Sequence, residues 1–558
     1  MQALTSSLQN IVLPHNISSR NKLTLTCFLF AAICKVILVT LFFSFSHDLI
    51  LQGLAAQSMA DGYGFTIPQV HAGNLSKVVY DPLVGWPPAF SAVIVPFYLI
   101  VGKHLALATL VTICVISVLF IPLAGKLLEQ LQFPAWVVNL FVVIYGLSIP
   151  KYLELFSATD LPALMCYMLA LYQLLVFTGT DRKKSSYGIY IGISCALGVW
   201  FRYMYLPVSF VLPVFLLWNG YLKKNKRLKQ AGFYAFIVNG ILVAALLTFE
   251  HYYTGSATYY RPVEKGLFLS NLHAVTPFVP ASFMNIHFYT MKLAAWRHIA
   301  YMQSLQLITN IGFLPAFFMV ILFCWYAIKK KLNTNGPSQT FFIAGGLLSF
   351  AVILLMLYLT VSFSSYYGFP SNFEWVYGAE ERYFIIPIFC IQVFILWWLF
   401  VRKPVRYKIV TNICRGLFVI IIAIEMIHGA FVISKYLKGT SVRWHSVAEQ
   451  NEVNAFLQNT ATLARQQQKE LVVGTLEAGT HGQPTLLGIN ELFRMDELIS
   501  DPVYCERPTL LVLIVRDAHL PYFKKFLDKH KPVRETFIAN EYYAFYCELA
   551  TGNSQYKQ

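Results

Sequence analysis

Asp48 stands where the first long apolar run of the sequence ends, in the string LFFSFSHDLIL. A carboxylate at a bilayer boundary is costly unless it meets water or a partner. It is therefore either a group placed to take a proton or a solvated residue ending a span. His47 beside it is a solvated neighbour or a group that tunes it. Two more acids, Glu154 and Asp160, share the short segment PKYLELFSATDLP. Arginines recur at comparable places: Arg202 in WFRYMYLP, Arg382 in EERYFIIP, and Arg261 in the long segment that follows Glu250. A guanidinium binds planar anions through paired N–H donors, and it also snorkels to lipid headgroups. Proton abstraction by a carboxylate, next to an anion held by arginine, is the chemistry these residue types offer.

The elements that must position them are apolar. With 57% hydrophobic residues, 13% charged residues and a mean hydropathy of +0.56, the chain excludes an ordinary soluble globular class. The net charge of +16 sits in short clusters between apolar runs, which fits the positive-inside rule rather than a nucleic-acid partner. Spans are expected near residues 23–43, 105–128, 134–150, 160–178, 187–203, 231–250, 305–328, 340–361, 383–401 and 412–433, with one more returning inward after Arg202. That makes about eleven, with the N-terminus cytoplasmic and every dense basic cluster on the same side. The segment from Pro88 to Val101 is too short to span and reads as an interfacial or re-entrant helix. Asp61 and Asp81 read as turn carboxylates, and the paired tyrosines as an interface belt. Eight of the ten cysteines lie in apolar runs as small hydrophobes, with no metal-type pairing.

Beyond about Lys438 the composition becomes that of a soluble protein, with helix and strand patterns alternating. Residues 438–558 are thus expected to form a small α/β domain after a membrane domain of residues 1–437. It holds Cys505 and Cys547, which an oxidising compartment would allow to pair or which stay as buried thiols.

Within the first outer loop, residues 44–104, Asp48 is followed by Ala56, Ser58, Ala60, Gly62, Gly64 and Phe65, and then by Trp86-Pro87-Pro88. This register resembles the GT-C membrane glycosyltransferases, in the branch of protein O-mannosyltransferases and lipid A aminoarabinose transferases. The chain departs from it in having Asp48-Leu49 where many members carry Asp-Glu. The resemblance implies a polytopic α-helical membrane protein that moves a hexose or pentose, with inversion, from a polyprenyl-phosphate donor. The acceptor would be a hydroxyl of a glycan, lipid or protein at the outer face of a bacterial cytoplasmic membrane, with the C-terminal domain periplasmic. Under it, Asp48 is the general base and Asp160 the second acid. Arg202, Arg382 and Arg261 meet the leaving phosphate, and His47, Gly62, Gly64, Trp86 and Tyr383 shape the substrate loop. No cofactor is expected, although Asp48 and Asp160 could share a divalent cation. The competing readings are a transporter or flippase and a non-catalytic assembly factor for cell-envelope glycans.

Overall fold

The computed structural model of the chain describes residues 19–43, 45–71, 73–148, 158–180, 184–255, 265–274, 337–364, 366–367, 374–375, 381–401, 447–475, 483–492, 503–516, 520–530, 534–538, 542–549 and 551–553, with scattered positions between 412 and 434. Five described helices are long and apolar enough to cross a membrane: Lys22–Phe42 of α1 (Ser19–Phe42), α4 (Leu105–Gln130), α6 (Asp160–Thr178), α9 (Lys226–Thr254) and α10 (Pro337–Ser362). Shorter apolar helices include α3 (Ala89–Ile100), α5 (Ala135–Leu147), α7 (Gly188–Phe201), α8 (Val211–Leu222) and α11 (Ile385–Phe400). The chain is a polytopic, mostly helical membrane protein. The expected spans at 305–328 and 412–433 lie outside the continuously described residues. The span expected at 134–150 is a helix of only 13 residues.

One cation sits inside the first span. Lys35 is fully buried; its Nζ donates to the carbonyl and hydroxyl of Ser148, at 2.9 and 3.0 Å, and lies over the Tyr145 ring. An ammonium at the carbonyl end of α5 meets the negative pole of that helix, which offsets the cost of burying it.

The segment between α1 and α4 is more ordered than its polar composition suggests. Helix α2 (His47–Ala60) starts where the Ser46 side chain accepts from the Leu49 amide at 3.2 Å, and it places Asp48 in the first turn. It stops at Gly62 and Gly64, whose φ values of +90° and +76° belong to the left-handed region. Strands β1 (Thr66–His71) and β2 (Asn74–Pro82) then form an antiparallel hairpin, with a register slip between Val70 and His71. The expected turn carboxylates are both engaged. Asp61 pairs with Lys103 at 2.7 Å, while Asp81 meets Gln69 and His71.

The C-terminal elements make a five-stranded sheet in the order β4 (Asn490–Leu492), β3 (Glu470–Thr475), β6 (Thr509–Arg516), β8 (Tyr542–Leu549), β7 (Arg534–Ile538). The first three strands run parallel, and β8 is antiparallel to both neighbours. Alternation along β6 fixes the two faces. Leu510, Val512 and Ile514 pack under helix α12 (Val447–Gln466) with Val453 and Leu457. Leu511, Leu513 and Val515 pack under α14 (Leu520–His530) with Phe523 and Phe526. That second core also contains Val70 and Leu75 of the hairpin, both buried. Polar contacts close the seam: Asn74 Nδ2 donates to Glu506 Oε1 at 2.9 Å, and the Glu506 amide donates to Ser76 Oγ at 3.0 Å. The hairpin and this sheet therefore lie on the same side of the membrane.

Candidate functional site

Helix α7 lies between α6 and α9. Gly188 and Gly192 let it approach α9 so closely that a Cβ at either position would run into the backbone of Ala231 or Ala235. The chain leaves α7 at Arg202 in an extended conformation. The consecutive side chains of Arg202 and Tyr203 then meet different neighbours.

Arg202 goes to the start of α6. Its Nε stands 3.1 Å from Asp160 Oδ1, and its Nη1 donates to Thr159 Oγ1 at 3.1 Å. Asp160 is 0% exposed and Arg202 8%. The Tyr383 ring faces the guanidinium, with its centroid 5.1 Å from Cζ. A tyrosine relay holds that ring's backbone. The Tyr205 hydroxyl donates to the Tyr383 carbonyl at 3.4 Å, and the Tyr167 hydroxyl to the Tyr205 carbonyl at 3.2 Å. Three of the residues expected from sequence, Asp160, Arg202 and Tyr383, are thus brought together. Asp160 stands as the partner of the arginine.

Tyr203 faces the C-terminal end of α9. Its hydroxyl lies beside the Glu250 carboxylate; burial and then that carboxylate push the phenol's pKa up, so the proton stays on. Glu250 is 3% exposed. From sequence it opens the outer segment, but the structure puts it in the last helical turn, because α9 runs on to Thr254 and stops at Gly255, φ +73°. The same turn supports the segment between α1 and α4. Phe249 packs against the cluster of Leu51, Ala55, Phe65 and Leu83, on which Trp86 also rests. Tyr253 fills the space at Gly64, where a Cβ would stand 2.7 Å from the tyrosine oxygen.

Asp48 is half-buried in the first turn of α2. Leu51 and Ala55 follow it at helical spacing, so the face that begins with Asp48 continues onto Phe249. His47 begins the same helix. Arg382 lies in the 3₁₀ turn Glu381–Phe384 with Tyr383, so its backbone is next to the Arg202 site. Arg261 and Glu154 lie outside the described residues. Among the described residues, no group of three or more His, Cys, Asp and Glu side chains is arranged to hold a metal.

Thr159, Tyr203, Tyr205 and Glu250 escaped the sequence reading. Only Glu250 had a legible signal, an acid closing an apolar helix five residues before the glycine that stops it.

No protein-family model matches the chain. No curated protein matches it either. Solved structures do resemble it. The Archaeoglobus fulgidus oligosaccharyltransferase in complex with Zn and sulfate aligns at 9% identity and a TM-score of 0.47, over 84% of this chain. The chain spans 62% of that enzyme's length. ArnT from Cupriavidus metallidurans aligns at 11% identity and a TM-score of 0.48, over 93% of this chain and 97% of ArnT. The same ArnT bound to undecaprenyl phosphate aligns at 10% identity and a TM-score of 0.45, over 94% and 97%.

Proposed function

We propose that the protein is an integral membrane glycosyltransferase that moves a sugar from a polyprenyl-phosphate donor to an acceptor hydroxyl at the outer membrane face, with inversion. The observation that carries the reading is Arg202, a buried guanidinium held by Asp160 and Thr159 against Tyr383 where α6 begins and α7 ends. A fixed arginine is suited to the charge that gathers on a departing phosphate. Asp48 takes the acceptor proton as that oxygen attacks the anomeric carbon from the face opposite the phosphate. The carbon–oxygen bond to phosphate breaks, and the electron pair leaves with it. Asp160 orients Arg202 and leaves the proton transfer to Asp48. Phosphate charge is then met by guanidinium groups, and chelators should leave turnover unchanged.

The register of residues 44–104 supports the donor class, and the basic clusters support an outward-facing site, with residues 438–558 on the outer side of a bacterial cytoplasmic membrane. A transporter would place ionisable groups near the midplane to carry a substrate. The buried cation of the first span, Lys35, is instead tied to the end of α5. Mass spectrometry of lipids that co-purify with the protein tests the proposal. Polyprenyl phosphate, with or without a sugar, should accompany the wild type and be depleted from Arg202→Ala. Equal lipid in both, or none in either, would remove Arg202 from donor binding.

A further inference from the structure

We infer that the turn between α8 and α9 docks the anionic headgroup of a phospholipid, at the end of α7 opposite Arg202. Gly188 and Gly192 touch Ala231 and Ala235, so α7 and α9 run parallel and Lys184 stands level with Arg227. An added Cβ at Gly220 or Gly232 would meet the backbone of Lys229 or Leu217, so α8 and α9 form a close antiparallel pair. Arg227 is committed to the end of α6, donating to the Thr180 carbonyl at 2.7 Å and the Phe177 carbonyl at 3.3 Å. Lys229 lies over the Tyr221 ring. Lys223, Lys224 and Lys226 are exposed at the tip and form no ion pair among the described residues. Local acids do not answer them. The sequence holds no Asp or Glu between Arg182 and Phe249, and Asp181 falls outside the described residues. Glu129, on the neighbouring end of α4, is taken by Lys126 at 2.8 Å.

These lysines do not serve the helix they precede, because the start of a helix favours acids over cations. Lys224 takes a φ of +49°, where the backbone favours glycine, so the turn keeps a cation against its own conformational preference. Behind the tip the exposed surface becomes aromatic and then aliphatic. Trp218, Tyr221 and Leu222 share a face of α8 at helical spacing, Phe233 and Ile237 one of α9, and all five are exposed. Tryptophan and tyrosine settle at the headgroup level of a bilayer, and lysines reach past it into the polar layer. That succession matches one phospholipid, with its phosphate on the lysines, its glycerol beside the rings and its acyl chains along α9. A soluble anion would use the lysines alone. The patch is separate from Arg202, since the 14 residues of α7 put about 21 Å between the two ends.

The test compares full-length wild type with Lys224→Gly, with the triple variant Lys223→Gln, Lys224→Gln, Lys226→Gln, and with Lys329→Gln, Lys330→Gln, Lys331→Gln. The last removes equal charge from another basic cluster of the sequence. The probes are phosphatidylglycerol and phosphatidylcholine in mixed nanodiscs, with the lipid each protein retains counted by native mass spectrometry. Wild type should prefer phosphatidylglycerol about tenfold or more, because each lysine at a lipid surface contributes about fivefold. The triple variant of the turn should lose most of that preference. Lys224→Gly should lose about fivefold and melt no lower in pure phosphatidylcholine, because glycine suits the turn. The Lys329–Lys331 variant and Arg202→Ala should keep the preference, and raised salt should weaken it. Any of three results overturns the docking site: no preference in wild type, an intact one in Lys224→Gly or in the triple variant of the turn, or an equal loss from the Lys329–Lys331 variant. Displacement of phosphatidylglycerol by millimolar inorganic phosphate would overturn it too, since the patch would then take a soluble anion.

Discussion

Arg202 and Asp160, 42 positions apart in sequence, form an ion pair at 3.1 Å in which both side chains are all but removed from solvent. Removing one partner from such a pair costs more than the pair itself contributes, because the charge left behind stays buried. Asp160→Asn is therefore expected to destabilise the protein by about 3–5 kcal/mol and to weaken donor binding with it. The double variant Asp160→Asn, Arg202→Gln should melt above the single one. Thermal unfolding in detergent reads this directly, and a double variant no better than the single would show that the pair is not coupled.

Asp48→Asn keeps shape and packing while removing basicity. Turnover should fall about 10²–10⁴-fold, with donor binding and folding retained, since a positioned base is what is lost. Turnover near wild type, measured with true donor and acceptor, would exclude Asp48 from proton transfer.

Gly62 and Gly64 separate two effects of adding one methyl group. Both have positive φ, so alanine costs about 1–2 kcal/mol at either. At Gly62 the added Cβ meets open space, whereas at Gly64 it collides with the Tyr253 hydroxyl. Gly64→Ala should be the more damaging, and Tyr253→Phe should recover part of the difference. Equal losses at the two glycines would mean that the loop does not rest on α9 as described.

Cys505 and Cys547 are both free and buried in the sheet core shared with the hairpin. Burial pushes the Cys547 thiol up to about 12 and raises Cys505 as well. The folded state thus holds these protons more tightly than the unfolded chain. That contribution to stability is present below the free-thiol value and is lost as the pH rises towards about 12. Native protein at pH 8 should resist alkylation at both positions, and denaturation without reductant should expose both. Failure to label after denaturation would show a disulfide instead.

Much of the membrane part was legible. Unbroken apolar runs bounded by basic clusters locate α1, α4, α6 and α10 within a few residues, because backbone satisfaction in lipid leaves the helix as the remaining choice. The strands Glu470–Thr475, Thr509–Arg516 and Tyr542–Leu549 were legible too, from continuous or alternating apolar patterns. The hairpin Thr66–Pro82 has no such pattern in its sequence. Its inward residues, Val70 and Leu75, face a core supplied from the other end of the chain, which no local period announces. For the site, rim position alone singled out Asp160 and Arg202 separately. Their pairing depends on how α6 and α7 lie side by side, where Gly198 makes room for the Tyr167 ring, and a lone glycine in an apolar run is too common to be diagnostic.

The shared core of hairpin and sheet sets a schedule for biosynthesis. Val70 and Leu75 are translated about 400 residues before the strands that cover them, an interval of roughly 20–80 s at ordinary elongation rates. Throughout it the hairpin's apolar face lacks its final cover, while successive helices are still entering the bilayer. A nascent chain cut short near its C-terminus would therefore carry its defect in the hairpin, hundreds of residues upstream of the break.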